Sequence, residues 1–209
     1  MAEAPIIIVL AHKRAGSLRR LLHGLGQQHT EGATIALVGL LDAPTEAVRQ
    51  VWDAFTWPHG PKYTEETATD QGIAAQHQRA MRHLQASPQG GLVLEDDLLL
   101  SPYALQASTA LLETMRQPAL NDPPWAMGGL YSYRLTEHTF TAFYPEAPGG
   151  TYALQVPCSW AGLYTPKQAA AFLAWEAEST PSAALPGYAA HWNEKKKKKR
   201  FLAMMQAQG

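Results

Sequence analysis

Two kinds of hydrophobic run alternate along the first half of the chain, and their alternation sets the expected architecture. Ile6 to Leu10 is continuously aliphatic. An unbroken rather than alternating run predicts a strand covered on both faces, as in a parallel sheet. His12-Lys13-Arg14-Ala15-Gly16 is a polar turn. Ser17 then stands where it would cap a helix from Leu18 to about Gln28, with Leu18, Leu21, Leu22 and Leu25 along one face. Thr34 to Leu41 predicts a second strand ending in Asp42, and Thr45 caps a helix through about Phe55. A β-α-β-α opening of this kind predicts a doubly wound, mostly parallel sheet flanked by helices.

The pattern continues with a Pro- and Gly-rich loop, Trp57 to Tyr63, and a helix, Asp70 to Gln85, that Ser87-Pro88 breaks. Leu92-Val93-Leu94 is a short buried strand running straight into Glu95-Asp96-Asp97, and Ser101-Pro102 opens a helix through about Arg116. After the Pro118 to Pro124 break the character changes. Ala126 to Tyr133, Thr139 to Tyr144, Tyr152 to Val156 and Ala161 to Tyr164 predict short strands of a smaller mixed sheet, and Thr165-Pro166 opens a helix through about Ala177. A Pro-containing loop, Ser179 to Gly187, and a basic helical piece, Glu194 to Gln208, complete the chain. The expected organisation is one α/β domain over 1–209 with segments 1–117, 118–178 and 179–209. The chain ends directly after the basic piece, as a truncated domain would.

Composition adds exclusions. With 46% hydrophobic and 17% charged residues the chain has the makeup of a soluble globular protein, and its formal net charge of -1 argues against a nucleic-acid surface. One cysteine, Cys158, excludes an intrachain disulfide and a thiolate metal cluster. The N-terminal apolar run is too short for a signal segment or a membrane span, so a cytoplasmic protein is expected. The basic run Lys195 to Arg200 is either a solvated helix face or a peripheral contact with an anionic glycan or phospholipid surface.

Chemistry concentrates at the predicted strand ends. Three successive carboxylates, Glu95, Asp96 and Asp97, repel one another unless cations or hydrogen-bond donors meet them. In open α/β sheets, ligands bind in the crevice beyond the carboxyl ends of the strands. A hard divalent cation suits such oxygen ligands and can bridge a diphosphate; a solvated acidic turn is the alternative. His12 and Arg14 follow the first strand at the same edge, where they either meet a nucleotide or form a polar loop. Asp42, after the second strand, either bonds a base or ribose or makes a local turn before Pro44.

The order of these features, with Gln71-Gly72-Ile73-Ala74-Ala75-Gln76-His77 and Leu92-Val93-Leu94-Glu95-Asp96-Asp97, resembles GT-A-fold glycosyltransferases over roughly residues 5 to 175. The pattern is similar to the N-acetylglucosaminyltransferase I-like group and its bacterial relatives. The resemblance implies Asp97 as the ligand of Mn2+ or Mg2+, Asp96 on the ribose or sugar, Glu95 supporting the nucleotide-sugar, and Asp42 facing the base. It also implies His12 and Arg14 bordering the nucleotide, and Gln76 or Arg79 near the pyrophosphate. Residues 1–117 would then be the nucleotide-sugar-binding half and 118–178 the acceptor side. Pro157-Cys158-Ser159-Trp160-Ala161-Gly162-Leu163-Tyr164 resembles the family's turn beneath the acceptor, with Gly162 admitting close approach of the sugar and Trp160 stacking on it. An ordinary core tryptophan is the other reading of Trp160. The sequence departs from the family at the catalytic base. Glu194, beside Trp192, is the candidate, and it borders the lysine run.

The implied activity is metal-assisted transfer of a sugar from a nucleotide-diphosphate sugar, UDP-linked by resemblance, to a glycan or lipid-linked oligosaccharide hydroxyl. The alternative is a non-catalytic nucleotide- or glycan-binding module, a degenerate or truncated form of the domain. A nucleotidyltransferase would want a glycine-rich phosphate loop after the first strand, where His12 to Ser17 offers Gly16 alone.

Overall fold

A computed structural model describes residues 4–117, 126–132, 134, 141–142, 144, 150–153, 158, 160–178 and 204. The elements are β1 (Ile6–Ala11), α1 (Ala15–Gly26), β2 (Leu37–Asp42), α2 (Glu46–Ala54), β3 (Lys62–Thr67), α3 (Gly72–Ala86), β4 (Gly91–Glu95), α4 (Ala104–Arg116), β5 (Gly128–Gly129), β6 (Gly162–Tyr164) and α5 (Pro166–Glu178). They form a 6-stranded mixed sheet in the order β3-β2-β1-β4-β6-β5. β1 pairs in parallel with both β2 and β4, β2 pairs in parallel with β3, and β6 is antiparallel to β4 and β5.

The aliphatic runs predict β1, β2 and β4 because these strands are buried on both faces. Ile7, Val9, Leu37, Leu41, Leu92 and Leu94 point to one side, where they meet Leu18, Leu21, Leu22 and Leu25 of α1, Val48 and Trp52 of α2, and Leu105 and Leu112 of α4. Ile8, Leu10, Val38, Leu40 and Val93 point to the other, against Ala80, Met81 and Leu84 of α3 and Ala169 and Phe172 of α5. Each face thus has its own core, and α3 and α5 pack together over the second.

Three features depart from the sequence expectation. β3 falls on Lys-Tyr-Thr-Glu-Glu-Thr, partly inside the expected loop, because an edge strand need not bury its side chains. α1 begins at Ala15 rather than Leu18, with Arg14 as its cap residue; the Ser17 hydroxyl accepts from Arg20 instead of capping. α4 begins at Ala104, past Ser101-Pro102. The Thr45 cap is present, its hydroxyl accepting from the Val48 amide at 3.4 Å. At α5, Thr165 and Gln168 form a reciprocal capping box: the Gln168 side chain accepts from the Thr165 amide at 2.8 Å and the Thr165 hydroxyl accepts from the Gln168 amide at 3.4 Å. Of the expected strands after residue 125, the described residues contain β5 and β6; most of the Thr139 to Tyr144 and Tyr152 to Val156 expectation lies outside them. Among the described residues no helix is long and apolar enough to cross a membrane.

Candidate functional site

From β1 the sheet grows outward through β2 and β3 on one side, and the chain then crosses to the other side to lay down β4. The carboxyl ends of β1 and β4 therefore flank the point where the winding reverses, the crevice that open α/β folds use for ligands. Leu10 pairs with Glu95, and the Asp96 amide donates to the Leu10 carbonyl at 3.1 Å. The acidic motif and the first turn are in this way fixed side by side.

Arg14 and the acidic motif are joined directly. One guanidinium nitrogen, Nη2, donates to Asp96 Oδ1, and Nη1 donates to Asp97 Oδ2 at 2.6 Å. The His12 amide reaches Asp96 Oδ2 at 3.5 Å. The two aspartates differ sharply in environment: the Asp96 side chain is 2% exposed and that of Asp97 43%. Burial pushes the Asp96 carboxyl above its ordinary pKa, and the Arg14 charge and hydrogen bond only partly offset that. Arg14 itself is driven up, burial being outweighed by its two carboxylate partners. Glu95 ends β4 and is half-buried.

A second cluster adjoins the first. Asp42, at the end of β2, is 4% exposed. Its carboxylate accepts from the Thr67 hydroxyl at 2.6 Å, from the Gln71 amide at 3.0 Å and from the Gly72 amide at 2.9 Å. Burial would raise its pKa, but these donors and nearby His12 win and hold the carboxyl below the ordinary aspartate range. The side chain thus ties down the loop entering α3 rather than making a local turn before Pro44. Gly72, with φ of 78°, holds a left-handed conformation that aims its amide at Asp42, which a glycine adopts without strain. His12 Nδ1 donates to the Asp42 carbonyl, and its Nε2 lies 3.4 Å from Asp70 Oδ2. Lys13 faces the same carboxylate at 4.0 Å.

His12, Asp42 and Asp70 present ligand atoms within 4.8 Å of one another. Asp42 has its oxygens committed to hydroxyl and amide donors, so this trio is better satisfied as a hydrogen-bonded hub. Asp97 is different: its carboxylate is solvent-accessible and already meets a cation. That donor chemistry fits a hard divalent ion.

The remaining expected residues are dispersed. Gln76 is buried within α3; its amide oxygen accepts from Arg79 at 2.9 Å, and Arg79 also pairs with Glu65 on β3 at 2.9 Å. Trp160 lies just before β6, and by the β4–β6 register it belongs at the Glu95 end of the sheet. The residue is 42% exposed and its ring meets Tyr131 edge-on, with centroids 4.7 Å apart, so it is not an ordinary core tryptophan. Gly162 has a packing reason to be glycine. A Cβ there would sit 2.8 Å from Tyr164 Oη and 3.0 Å from Met127 Cε, so its open side is already filled by protein rather than left for a sugar. Glu194 and Lys195 to Arg200 lie outside the described residues. Sequence reasoning misses Asp70 and Tyr131. The Asp70-Gln71-Gly72 turn ahead of a helix is the available signal for the first; the second has none.

No family model matches the chain, and no curated protein matches it by sequence. Solved structures do. The crystal structure of S. aureus TarS superposes over 98% of this chain with a TM-score of 0.57 at 13% identity. TarS 1–349 in complex with UDP superposes over 98% with a TM-score of 0.55 at 12% identity. The chain shares their α/β fold, the GT-A architecture expected from the sequence. The chain spans 34% of the length of the first of these structures and 54% of the second. A mannosyltransferase from Pyrobaculum calidifontis in complex with GDP-Man and Mn2+ matches only 56% of this chain, with a TM-score of 0.45, too partial a likeness to bear on the site. A GT-A fold at such identities fixes the architecture and leaves the chemistry to be argued from the crevice itself.

Proposed function

We propose that this domain transfers a sugar from a nucleotide-diphosphate sugar to an acceptor hydroxyl, with the donor diphosphate bound at the β1–β4 crevice. The observation that carries the reading is the juxtaposition of Arg14 with Asp96 and Asp97 at the winding reversal, where cationic and anionic groups converge on one edge. Arg14 and His12 border the phosphates, and Asp42 borders the base or ribose while its carboxylate holds the Gln71-Gly72 loop in place. Asp96 lies toward the ribose or sugar, Glu95 supports the nucleotide-sugar from behind, and Asp97 is the ligand for Mn2+ or Mg2+; Gln76, held by Arg79 within α3, is left out of the donor site.

A divalent cation, when bound, neutralises charge on the diphosphate leaving group and so favours cleavage of the anomeric C–O bond. The chain's own residues orient the donor: Arg14 offers a planar fork suited to phosphate oxygens. The acceptor hydroxyl attacks the anomeric carbon and gives up its proton to a base; Glu194 is the carboxylate candidate for that part. Trp160, beside Tyr131, is suited to stack on an acceptor sugar. UDP is the nucleotide we expect, and a glycan or lipid-linked oligosaccharide the acceptor. The reading takes the protein as cytoplasmic, with Lys195 to Arg200 available to an anionic surface.

Calorimetry with UDP in the presence of Mn2+ tests the site. Wild type should bind, and Asp97→Ala should lose that binding while its circular dichroism spectrum stays unchanged. Equal binding by both proteins would sink the reading. Turnover is tested separately, by release of sugar from UDP-sugars. Nucleotide binding without any release would favour a binding module.

A further inference from the structure

Arg14 occupies both carboxylates that the proposed function assigns to the metal and the donor, and the role inferred for it rests on that assignment. The position of Arg14 is set by the fold. The residue caps α1 with non-helical backbone angles, φ -99° and ψ 70°, and its carbonyl accepts from the Leu18 amide at 3.0 Å. The side chain then spans from the end of β1 to the end of β4, where it bridges Asp96 and Asp97. Asp96 is almost wholly buried, and a buried carboxylate is costly without a counter-charge. Neighbouring Lys13 is turned to Asp70 instead. Among the described residues, the cation in contact with this aspartate pair is Arg14.

We propose that Arg14 is a tethered counter-ion that competes with the divalent cation for Asp97, so that metal and nucleotide bind as a coupled pair. An ion ligated by Asp97 Oδ2 would lie within a few ångströms of a guanidinium hydrogen-bonded to that same oxygen, two positive charges in close repulsion. Phosphate oxygens give the guanidinium a better partner, since they accept its paired N–H groups in parallel. A diphosphate that draws Nη1 away frees Asp97 while Nη2 stays on buried Asp96, and metal binding at Asp97 in turn frees Nη1 for a phosphate oxygen. Linkage requires each ligand to raise the affinity of the other by the same factor.

Mn2+ alone, followed by loss of the free-ion electron paramagnetic resonance signal, reads the competition on the full chain. Without nucleotide, Arg14→Gln should bind Mn2+ roughly fivefold or more tightly than wild type, the size expected when a partly exposed charge-assisted pair is removed. Arg14→Lys, which keeps the charge but cannot bridge both carboxylates, should fall between. Mn2+ retained by the protein, separated from the Mn2+–UDP chelate by rapid gel filtration, should rise with UDP for wild type and by a smaller factor for Arg14→Gln. Equal or weaker Mn2+ binding by Arg14→Gln with a native circular dichroism spectrum overturns the proposal and leaves the sugar-transfer reading standing. Should Arg14→Gln fail to fold, the comparison of wild type with Arg14→Lys decides in the same way. Mn2+ binding by none of these proteins, even with UDP present, overturns both.

Discussion

Asp42 shows how one nearly buried carboxylate shapes the site through the amides it holds. It draws the Gln71 and Gly72 amides onto the end of β2 and is nearly sealed from solvent. Asp42→Asn keeps the shape but removes the charge, and should cost about 1–2 kcal/mol at neutral pH, because hydrogen bonds to ionised groups are the stronger kind. The pH dependence has a definite sign. The folded-state pKa lies below the ordinary 3.8, so the stabilisation is full above that value and is lost as pH falls through the lower, folded one. Urea melts should show a constant gap between wild type and variant above about pH 5, closing in more acid solution; a gap that widens on acidification would be the wrong sign. The sequence singles out Asp42 but not its partners. They lie as many as 30 positions away, and no local pattern reports which amides a carboxylate will find after folding.

At the scale of elements, legibility follows burial. β1, β2 and β4 announce themselves because both faces are covered, and α1 because its leucines recur on one side. β3 does not, since its polar side chains lie at the rim and its strand identity comes from pairing with β2. Two contacts lock the β2–α2–β3 unit and are testable. Gly39 on β2 has the Trp52 ring pressed against it, and a Cβ there would sit 2.4 Å from the indole. Gly39→Ala should therefore destabilise by about 1–3 kcal/mol through overpacking, measurable as a lowered urea midpoint. Lys62 lays its ammonium on the Trp52 and Phe55 carbonyls at 2.8 and 2.5 Å, serving as a cap for α2, while burial lowers its pKa. Lys62→Met leaves those carbonyls short of a donor and should cost about 1–2 kcal/mol. Stability unchanged by that substitution would mean that water satisfies the helix end just as well.

In the proposed reading the whole molecule divides at β4: donor-side residues come from the ends of β1, β2, β3 and β4 and the loops after them, whereas Trp160 and Tyr131 come from the chain around β5 and β6. On the proposed function, Trp160→Ala should raise the acceptor KM about tenfold or more, the worth of one aromatic–sugar contact at roughly 1.4 kcal/mol, with UDP affinity unchanged. Loss of UDP binding in that variant would instead mean that the two sides are not separable. The order of acidic motif, first turn and Asp42 is enough to anticipate the GT-A fold. The sequence does not show that Arg14 already satisfies the acidic motif, since that contact depends on β1 and β4 becoming neighbours.

That neighbourhood has a consequence for handling the protein. β6 covers the outer edge of β4, pairing with Gly91, Leu92 and Val93. Cutting the chain at residue 117 would keep nearly the whole crevice yet strip β4 of this partner, leaving a bare aliphatic ribbon with unanswered backbone groups along a newly opened border. Such a fragment should self-associate rather than remain monomeric, so a minimal unit that keeps the β1–β4 crevice has to carry its antiparallel guard strand with it.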